Sequence, residues 1–405
     1  MTKLDELIQQ LCPDGVKYYT LNTICNVYDG THQTPQYTDS GIKFASVENI
    51  ADPYATEKYI SVSDYEKYKI KPQRNDLLMT RIGSIGVCTV IESDEPLAYY
   101  VSLALLRPDN SILNSRYLKY AIESLHCRKE LRKRTLVNAV PIKINMGDIG
   151  KITLPVPPLP VQREIVRILD NFTEITAELT AELTARKQQY EFYRDQLLTF
   201  AAQGETILTD KPNALNRLCQ YVSEFIFVKL SDISVNCDSL RKPVTSGNRE
   251  AGNIPYYGAS GIVDYVKDYI FDGDYLLISE DGANLLARNT PIAFSISGKN
   301  WVNNHAHILR FNNRITQRYV EIYLNSIDLS PYISGGAQPK LNQQNLYKIP
   351  IPLPSYQKQK EIVTILDRFD TLCTDLSSGL PAEIEARQKQ YEYYRDKLLS
   401  FEEKI

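Results

Sequence analysis

Two stretches of the chain place apolar residues at alternating steps of four and three. In the first, Ile165, Leu169, Phe172, Thr176, Leu179, Leu183, Arg186, Tyr190, Tyr193, Leu197 and Phe200 form one stripe. In the second, Ile362, Leu366, Phe369, Cys373, Leu376, Leu380, Ile384, Arg387, Tyr391, Tyr394, Leu398 and Phe401 form another. That spacing predicts two long helices with coiled-coil seams. A helix of about 38 residues runs roughly 57 Å, and a helix with one bare apolar stripe needs a partner. The second stripe contains two successive steps of four, from Leu376 to Leu380 to Ile384. That stutter coincides with Gly379 and Pro381, and it predicts a kink or break there. An arginine interrupts each seam, at Arg186 and Arg387. It either snorkels to solvent or pairs with a glutamate across the seam to fix register.

The two helices are copies. QREIVRILDNF (162–172) and QKEIVTILDRF (359–369) share eight of eleven residues, and RKQQYEFYRDQLLTF (186–200) and RQKQYEYYRDKLLSF (387–401) share ten of fifteen. Each is entered through prolines, in LPVPPLP (154–160) and IPIPLPS (349–355), which punctuate an extended approach. The segments before them also correspond in order. YYTLNTI (18–24) answers FVKLSDI (227–233), NDLLMTRIGSIG (75–86) answers GDYLLISEDGAN (273–284), YVSLALLRP (100–108) answers NHAHILRFN (304–312), and YLKYAIESL (117–125) answers YVEIYLNSI (319–327). Both read as short alternating strands ending in a helical stretch. LIQQLC (7–12) finds a counterpart in LNRLC (215–219), which predicts that the N-terminus lies beside the returning second helix.

The expected fold is therefore α+β. Two similar mixed, β-rich domains, 1–155 and 211–354, are separated by a long antiparallel two-helix coiled coil in a pseudo-twofold internal repeat. The first spacer helix and its linker occupy 156–210, and the second spacer helix occupies 355–405.

Bulk properties change this picture little. Apolar residues make up 43% and charged residues 23% of 405, and no uninterrupted apolar run is long enough for a membrane span. The acidic, helical start MTKLDELIQQLC does not read as a signal sequence, so the expected location is the cytoplasm. The seven cysteines, Cys12, Cys25, Cys88, Cys127, Cys219, Cys237 and Cys373, contain no C-x-x-C pair and read as reduced packing residues. The net charge of −3 is partitioned: +1 for 1–155, −4 for 156–210, +2 for 211–354 and −2 for 355–405. Excess acid sits in the helices and excess base in the globular parts. His305 and His307 are two apart, a spacing that sets both on one face of a strand, but no metal site is expected.

Catalytic constellations are missing from the sequence. There is no G-x-x-x-x-G-K-[ST] loop, no strand-to-helix G-x-G-x-x-G and no Asn-Pro-Pro-aromatic motif. The E-x-K at Glu402 to Lys404 has no acidic partner in an upstream strand. His32 and His126 lack a neighbouring nucleophile motif. What remains is polar chemistry in loops and at strand ends. The first domain offers Thr31, His32, Gln33, Thr34, Lys43, Ser46, Glu48, Asn49, Arg81 and Ser84. The second offers Arg241, Lys242, Tyr256, Tyr257, Ser260, Glu280, Asp281, Asn284, Asn304 and His305. Arginine, amide and carboxylate side chains suit the edges of DNA bases, although any β-rich domain carries polar loops. HCRKELRKRT (126–135), with five basic residues and one acidic, suits phosphates or a solvated helix face.

Taken together, the alternation of domains and helices, the proline entries followed by EIVxILD, QYExYRDxLL at the helix ends, LCPDGV, IPYYGASG (254–261), LLISEDGANL and WVNNHAHILR resemble the specificity subunits of type I restriction-modification enzymes. The resemblance covers nearly the whole chain. It implies two target recognition domains, each reading half of a split double-stranded DNA sequence, and helices that set the unread gap. It also implies two modification (methyltransferase) subunits docked on the helices and restriction (translocase/endonuclease) subunits joining them. S-adenosylmethionine, ATP and Mg would act on those partners, and this chain would carry no catalytic residue or cofactor. Two alternatives stand beside it: a specificity subunit of a type IIB-like system, and a coiled-coil scaffold binding proteins. An autonomous enzyme is the weakest reading.

Overall fold

The computed structural model describes residues 2–33, 35–198, 225–335, 338–375 and 377–404. Thr34, Phe200, Leu376, Cys219 and the LNRLC segment lie outside the described residues. The chain divides into two compact units, 1–180 with 383–405 and 181–382. Each unit takes the proximal half of one long helix and the distal half of the other.

In the first unit, strands Cys25–Asp29, Leu103–Pro108, Leu77–Thr80 and Cys88–Val90 form an antiparallel sheet in that order. Its central strands are apolar on both faces, because both faces are covered. Leu77 and Met79 pack toward the helices, while Leu78 packs toward a second sheet. That second sheet orders Tyr37–Thr38, Tyr59–Ile60, Ile42–Ala45 and Leu97–Tyr99, the last pair parallel. Full burial of such side chains contributes about 1.5–3 kcal/mol each. The second unit repeats the first sheet as Ser234–Asn236, Ala306–Phe311, Tyr275–Ser279 and Ala293–Ile296. Its other sheet orders Gly261–Val266, Ala251–Gly258, Lys299–Val302 and Phe271–Asp272, with one parallel pair between Ala251–Gly258 and Lys299–Val302.

The segments matched in sequence are the same elements, but two of the matches slip by one residue. Leu276 and Ile278 face the helical core of the second unit, so they answer Leu77 and Met79. The string match would set Tyr275 against Leu77, and Tyr275 belongs to the opposite face. The partner strands agree: Leu77 lies opposite Leu106, and Leu276 opposite Leu309. A one-residue slip exchanges the two faces of a strand, and apolar runs buried on both faces hide it. In the corrected register, Arg81 answers Glu280 and Ala104 answers His307.

A helix in each unit, Ser115–Glu123 and Arg314–Ser326, begins at an asparagine cap: the Asn114 side chain accepts from Tyr117 N–H at 3.0 Å, and Asn313 from Thr316 N–H at 2.8 Å. Losing such a cap costs about 1 kcal/mol. These helices are tied to the proline strands by matched tyrosines. Tyr117 donates to the Pro155 carbonyl at 2.9 Å, and Tyr319 to Pro352 at 2.5 Å. Buried Gln162 and Gln359, in the repeated QxEIV, donate to the carbonyls of Pro157 and Pro354 at 2.7 and 2.8 Å.

The first long helix, Leu159–Leu198, is continuous, whereas the second is two helices, Tyr356–Thr374 and Leu380–Leu398. The break falls at the stutter. A β-carbon on Gly379 would lie 2.7–2.9 Å from the carbonyl oxygens of Asp375, Thr371 and Leu372, so only glycine fits. The pairing of the long helices recurs in both units through the same residues: Phe172 stacks on Tyr394 with centroids 5.3 Å apart, and Phe369 meets Tyr193 at 5.8 Å. Arg186 and Arg387 do not reach across the seam. Each is about 40% exposed and pairs with a glutamate four residues earlier on its own helix, Glu182 or Glu383, at 3.3 and 2.8 Å. Of the two readings, this supports the snorkelling arginine over the register-fixing buried pair.

The N-terminal segment joins the end of the chain, as expected. Val16 N–H donates to Glu402 carbonyl at 2.9 Å, Lys404 N–H returns to Val16 carbonyl at 3.0 Å, and Tyr18 donates to Phe401 carbonyl at 3.0 Å. Six of the cysteines are free and buried. Burial pushes the Cys25 and Cys127 thiols up to about 12.

Candidate nucleic-acid interface

In both units the central strand of the first sheet ends in a turn that meets a loop from much later in the chain. In the first unit the turn is Arg81–Gly86, held by Gly86 at φ +87°, where a β-carbon would also strike Leu131 Cδ1 at 2.7 Å. The loop is the hairpin 136–143. Gly83 N–H donates to Ile142 carbonyl at 2.8 Å and Ile144 N–H to Arg81 carbonyl at 3.0 Å. In the second unit Gly282 N–H donates to Pro339 carbonyl at 3.2 Å and Leu341 N–H to Glu280 carbonyl at 2.8 Å. These two main-chain hydrogen bonds thus correspond, and Ser334 pairs with Lys340 as Leu136 does with Lys143.

Side chains at matching positions differ. Asp29 ends the edge strand of the first unit; it accepts from Arg81 at 2.6 Å and meets His32 Nε2 at 2.9 Å. Arg81 is 8% exposed and also donates to Ile144 carbonyl at 3.4 Å. In the second unit, Asp238 takes the place of Asp29. It meets His307 Nδ1 at 2.6 Å and lies 3.6 Å from Arg241, which donates to Glu280 at 2.5 Å. Lys340 reaches the other oxygen of Glu280 at 3.1 Å, and Leu341 carbonyl faces His307 Nε2 at 2.8 Å. Burial alone would raise the Asp238 and Glu280 carboxyls. The His307 ring beside Asp238, and Arg241, His307 and Lys340 beside Glu280, hold both below their ordinary values.

Asp238, Glu280 and His307 approach one another closely enough for a metal. Arg241 and Lys340 already occupy Glu280, and cations within the donor set make it an ion-pair network.

Arg81, Arg241 and Glu280 therefore brace the turn in this structure, with their polar atoms committed to neighbours. His32, Ser84, Lys242, Ser260, Asn304 and His305 are exposed. His305 precedes the strand that contains His307 and meets Asp281 at 2.8 Å, so the two histidines serve different partners. Thr31, Lys43, Tyr257, Asp281 and Asn284 are half-buried. Asn284 exchanges hydrogen bonds with the Thr290 main chain at 2.9 and 3.0 Å, which closes a loop. Ser46 Oγ and Asn49 Oδ1 are buried and meet no hydrogen-bond partner among the described residues. Thr31 and Gln33 line a cleft of about 600 Å³ with Tyr28, Asp29, Lys67 and Tyr68. The basic stretch is a helix, Leu125–Arg134, and it leads directly into the 136–143 hairpin.

Sequence reading missed Asp29, Asp238, His307, Lys340 and the pairing of Leu136 with Lys143 and of Ser334 with Lys340. The available signal was a short repeat, PIKIN (141–145) against PKLN (339–342), in which Lys143 answers Lys340.

The sequence profile of the type I restriction modification DNA specificity domain matches twice, at residues 13–186 and 223–386. This chain belongs to that family. Each match spans one domain and much of a long helix. Similar proteins include the EcoR124I/EcoR124II type I restriction enzyme specificity subunit of Escherichia coli, 34% identical over 62% of this chain and 63% of that one. The EcoprrI specificity subunit of E. coli is 31% identical over 76% of this chain and 74% of that one. A Haemophilus influenzae protein named for a type I restriction enzyme specificity subunit is 41% identical over 45% of this chain. The chain spans about half, 48%, of that relative. The fold is that of the S subunit of the type I restriction-modification system from M. genitalium, with a TM-score of 0.57, 15% identity and coverage of 95% and 96% of the two chains. A chain from a structure on complex assembly and conformational transition of the type I restriction-modification system gives a TM-score of 0.61 at 15% identity, over 96% and 98%. Among the described residues, no helix is long and apolar enough to cross a membrane.

Proposed function

We propose that this chain is the sequence-reading subunit of a type I restriction-modification complex, in which each unit recognises one half of a split double-stranded DNA site. The observation that carries this reading is the pair of matched clusters. One main-chain arrangement presents Asp29, Arg81 and His32 in the first unit and Asp238, Glu280, Arg241 and His307 in the second. A duplicated scaffold that keeps its backbone and exchanges its polar side chains is suited to two different base sequences. The exposed His32, Ser84, Lys242, Ser260, Asn304 and His305 are the candidates for base or phosphate contact, and the Leu125–Arg134 helix for phosphates.

The long helices set the unread gap. A continuous helix of 40 residues runs about 60 Å at 1.5 Å per residue. Recognition modules on one face of DNA prefer centres about 34 Å apart. Two modification subunits dock on the helical region, where the repeated motif leaves matched aromatic pairs exposed, Phe192–Tyr193 and Tyr393–Tyr394. Restriction subunits complete the nuclease. S-adenosylmethionine, ATP and Mg serve those partners in the cytoplasm, and this chain contributes recognition without catalysis.

Binding of the purified chain to a duplex carrying its split site, measured as a function of salt, tests the reading. Affinity should fall by at least about tenfold between 50 and 200 mM salt, as phosphate contacts release counterions. The chain alone should neither methylate nor cut. Binding indifferent to sequence, or either activity without partners, would overturn the proposal.

A further inference from the structure

The geometry points to the 136–143 hairpin of the first unit as an apolar wedge that enters the DNA base stack and reads its half-site partly through deformability. This inference rests on the proposed DNA-reading role and deepens it.

The hairpin sequence is LVNAVPIK, and its apolar side chains face solvent: Leu136 is 43% exposed, Val137 60%, Val140 99% and Ile142 42%. Isolated surface apolar residues are ordinary, but four within seven positions at one tip call for an occupant. The tip is held in place by its main chain. Leu136 N–H donates to Lys143 carbonyl at 2.8 Å and Ala139 N–H to Leu136 carbonyl at 3.2 Å. Gly83 and Ile144 fasten the hairpin to the Arg81 turn. A braced apolar tip can be pushed into a stack without first being ordered.

The surroundings identify the occupant. The helix that feeds the hairpin exposes Arg128, Lys129, Arg132 and Lys133, and Lys143 stands at the far side of the tip. Lys133 pairs with Glu130 at 2.9 Å, whereas Arg128, Lys129 and Arg132 form no salt bridge among the described residues. Cations for phosphates around apolar side chains for bases match a duplex that is partly unstacked and kinked. A protein partner would meet an apolar tip with an apolar rim.

The sequence of the corresponding segment in the second unit does not repeat the apolar residues. That segment reads SGGAQPK (334–340), with no residue larger than alanine in the sequence between Ser334 and the exposed Gln338. The wedge therefore acts on one half-site only, and the two halves are read by different physical means.

The test uses the full chain with its modification subunits, on duplexes of the methylated sequence carrying 2-aminopurine at successive positions other than the methylated base. Wild type should raise fluorescence about threefold or more at one step in the half-site read by the first unit, as expected of an unstacked base. Val140→Ser and Val137→Ser/Val140→Ser should abolish the rise while leaving the melting temperature and subunit stoichiometry unchanged. Exposed positions carry little packing, so both variants should fold. An unchanged rise in the double variant, or a rise only in the other half-site, overturns the wedge. Loss of modification subunits from the variant with the fluorescence rise intact assigns the tip to a protein interface and also overturns it. Failure of wild type to bind any split duplex removes the DNA-reading role itself, and the wedge with it.

Discussion

Asp29 and Asp238 stand at the same place in two copies of one fold, and different side chains answer them. Asp29 pairs with an arginine from the end of the central strand, Arg81, at 2.6 Å. Asp238 pairs with a histidine from the neighbouring strand, His307, at 2.6 Å, and its arginine comes from the edge loop. The carboxylate anchor persists while its partners move. The surface it supports can change without a change of backbone.

Asp238→Asn should lower the stability of the chain at neutral pH by about 1–3 kcal/mol, because it takes from His307 its carboxylate partner at 2.6 Å and leaves Arg241 with Glu280 alone. Both Asp238 and Glu280 are held below their ordinary values. Their contribution is thus full above the unfolded carboxylate range and is lost as pH falls through the depressed values. Chemical denaturation at pH 7 and near pH 3 should show the difference between wild type and variant shrinking in acid.

Glu123→Gln should stabilise the chain. Burial raises the Glu123 carboxyl above its ordinary value, against the opposing pull of Lys119, Arg128 and Arg395, and the side chain accepts from Cys88 N–H at 3.1 Å. The matching residue in the second unit is Asn325, which serves Ile292 and Ala293 N–H at 3.0 and 3.1 Å without charge. Because the folded value is raised, stability is greatest below the unfolded value and falls as pH rises through the folded one. A glutamine keeps the acceptor and removes that loss. Thermal melts at pH 7 should rise by about 2 °C, and the gain should vanish near pH 4.

Replacing Arg128, Lys129 and Arg132 together with alanine should weaken binding to all duplexes alike. The slope of log affinity against log salt should fall by roughly 0.9 for each phosphate that is no longer neutralised. Binding titrations at several salt concentrations would show it. Weakening confined to one base sequence would instead assign these residues to base reading.

The helices were the most legible part of the sequence. Their seams follow from a local period, and the break followed from Gly379 and Pro381 standing at a stutter. The strands were legible as elements but not in register, because Leu77, Leu78 and Met79 are apolar on both faces and leave no alternation to align. The candidate site was only half legible. His32, Ser84, Lys242 and Asn304 were named from residue type and are exposed, but Arg81, Arg241 and Glu280 were named for the same reason and prove to be braces. Their partners, Asp29, Asp238, His307 and Lys340, lie far along the chain, and only folding brings them together.

Removing one heptad from each long helix should shorten the pair by about 10 Å, which corresponds to about three base pairs at 3.4 Å each. The spacer should contract accordingly while both half-sites stay unchanged. An unaltered spacer in the methylated motif would separate helix length from gap length.

Methylome sequencing of cells carrying this chain with its modification subunits, against cells in which the chain is deleted, tests the central claim most directly. The account predicts a split motif with a fixed gap that disappears on deletion, and loss of one half-site alone when the second unit is exchanged for that of a relative. A continuous motif, or methylation that persists without the chain, would contradict it.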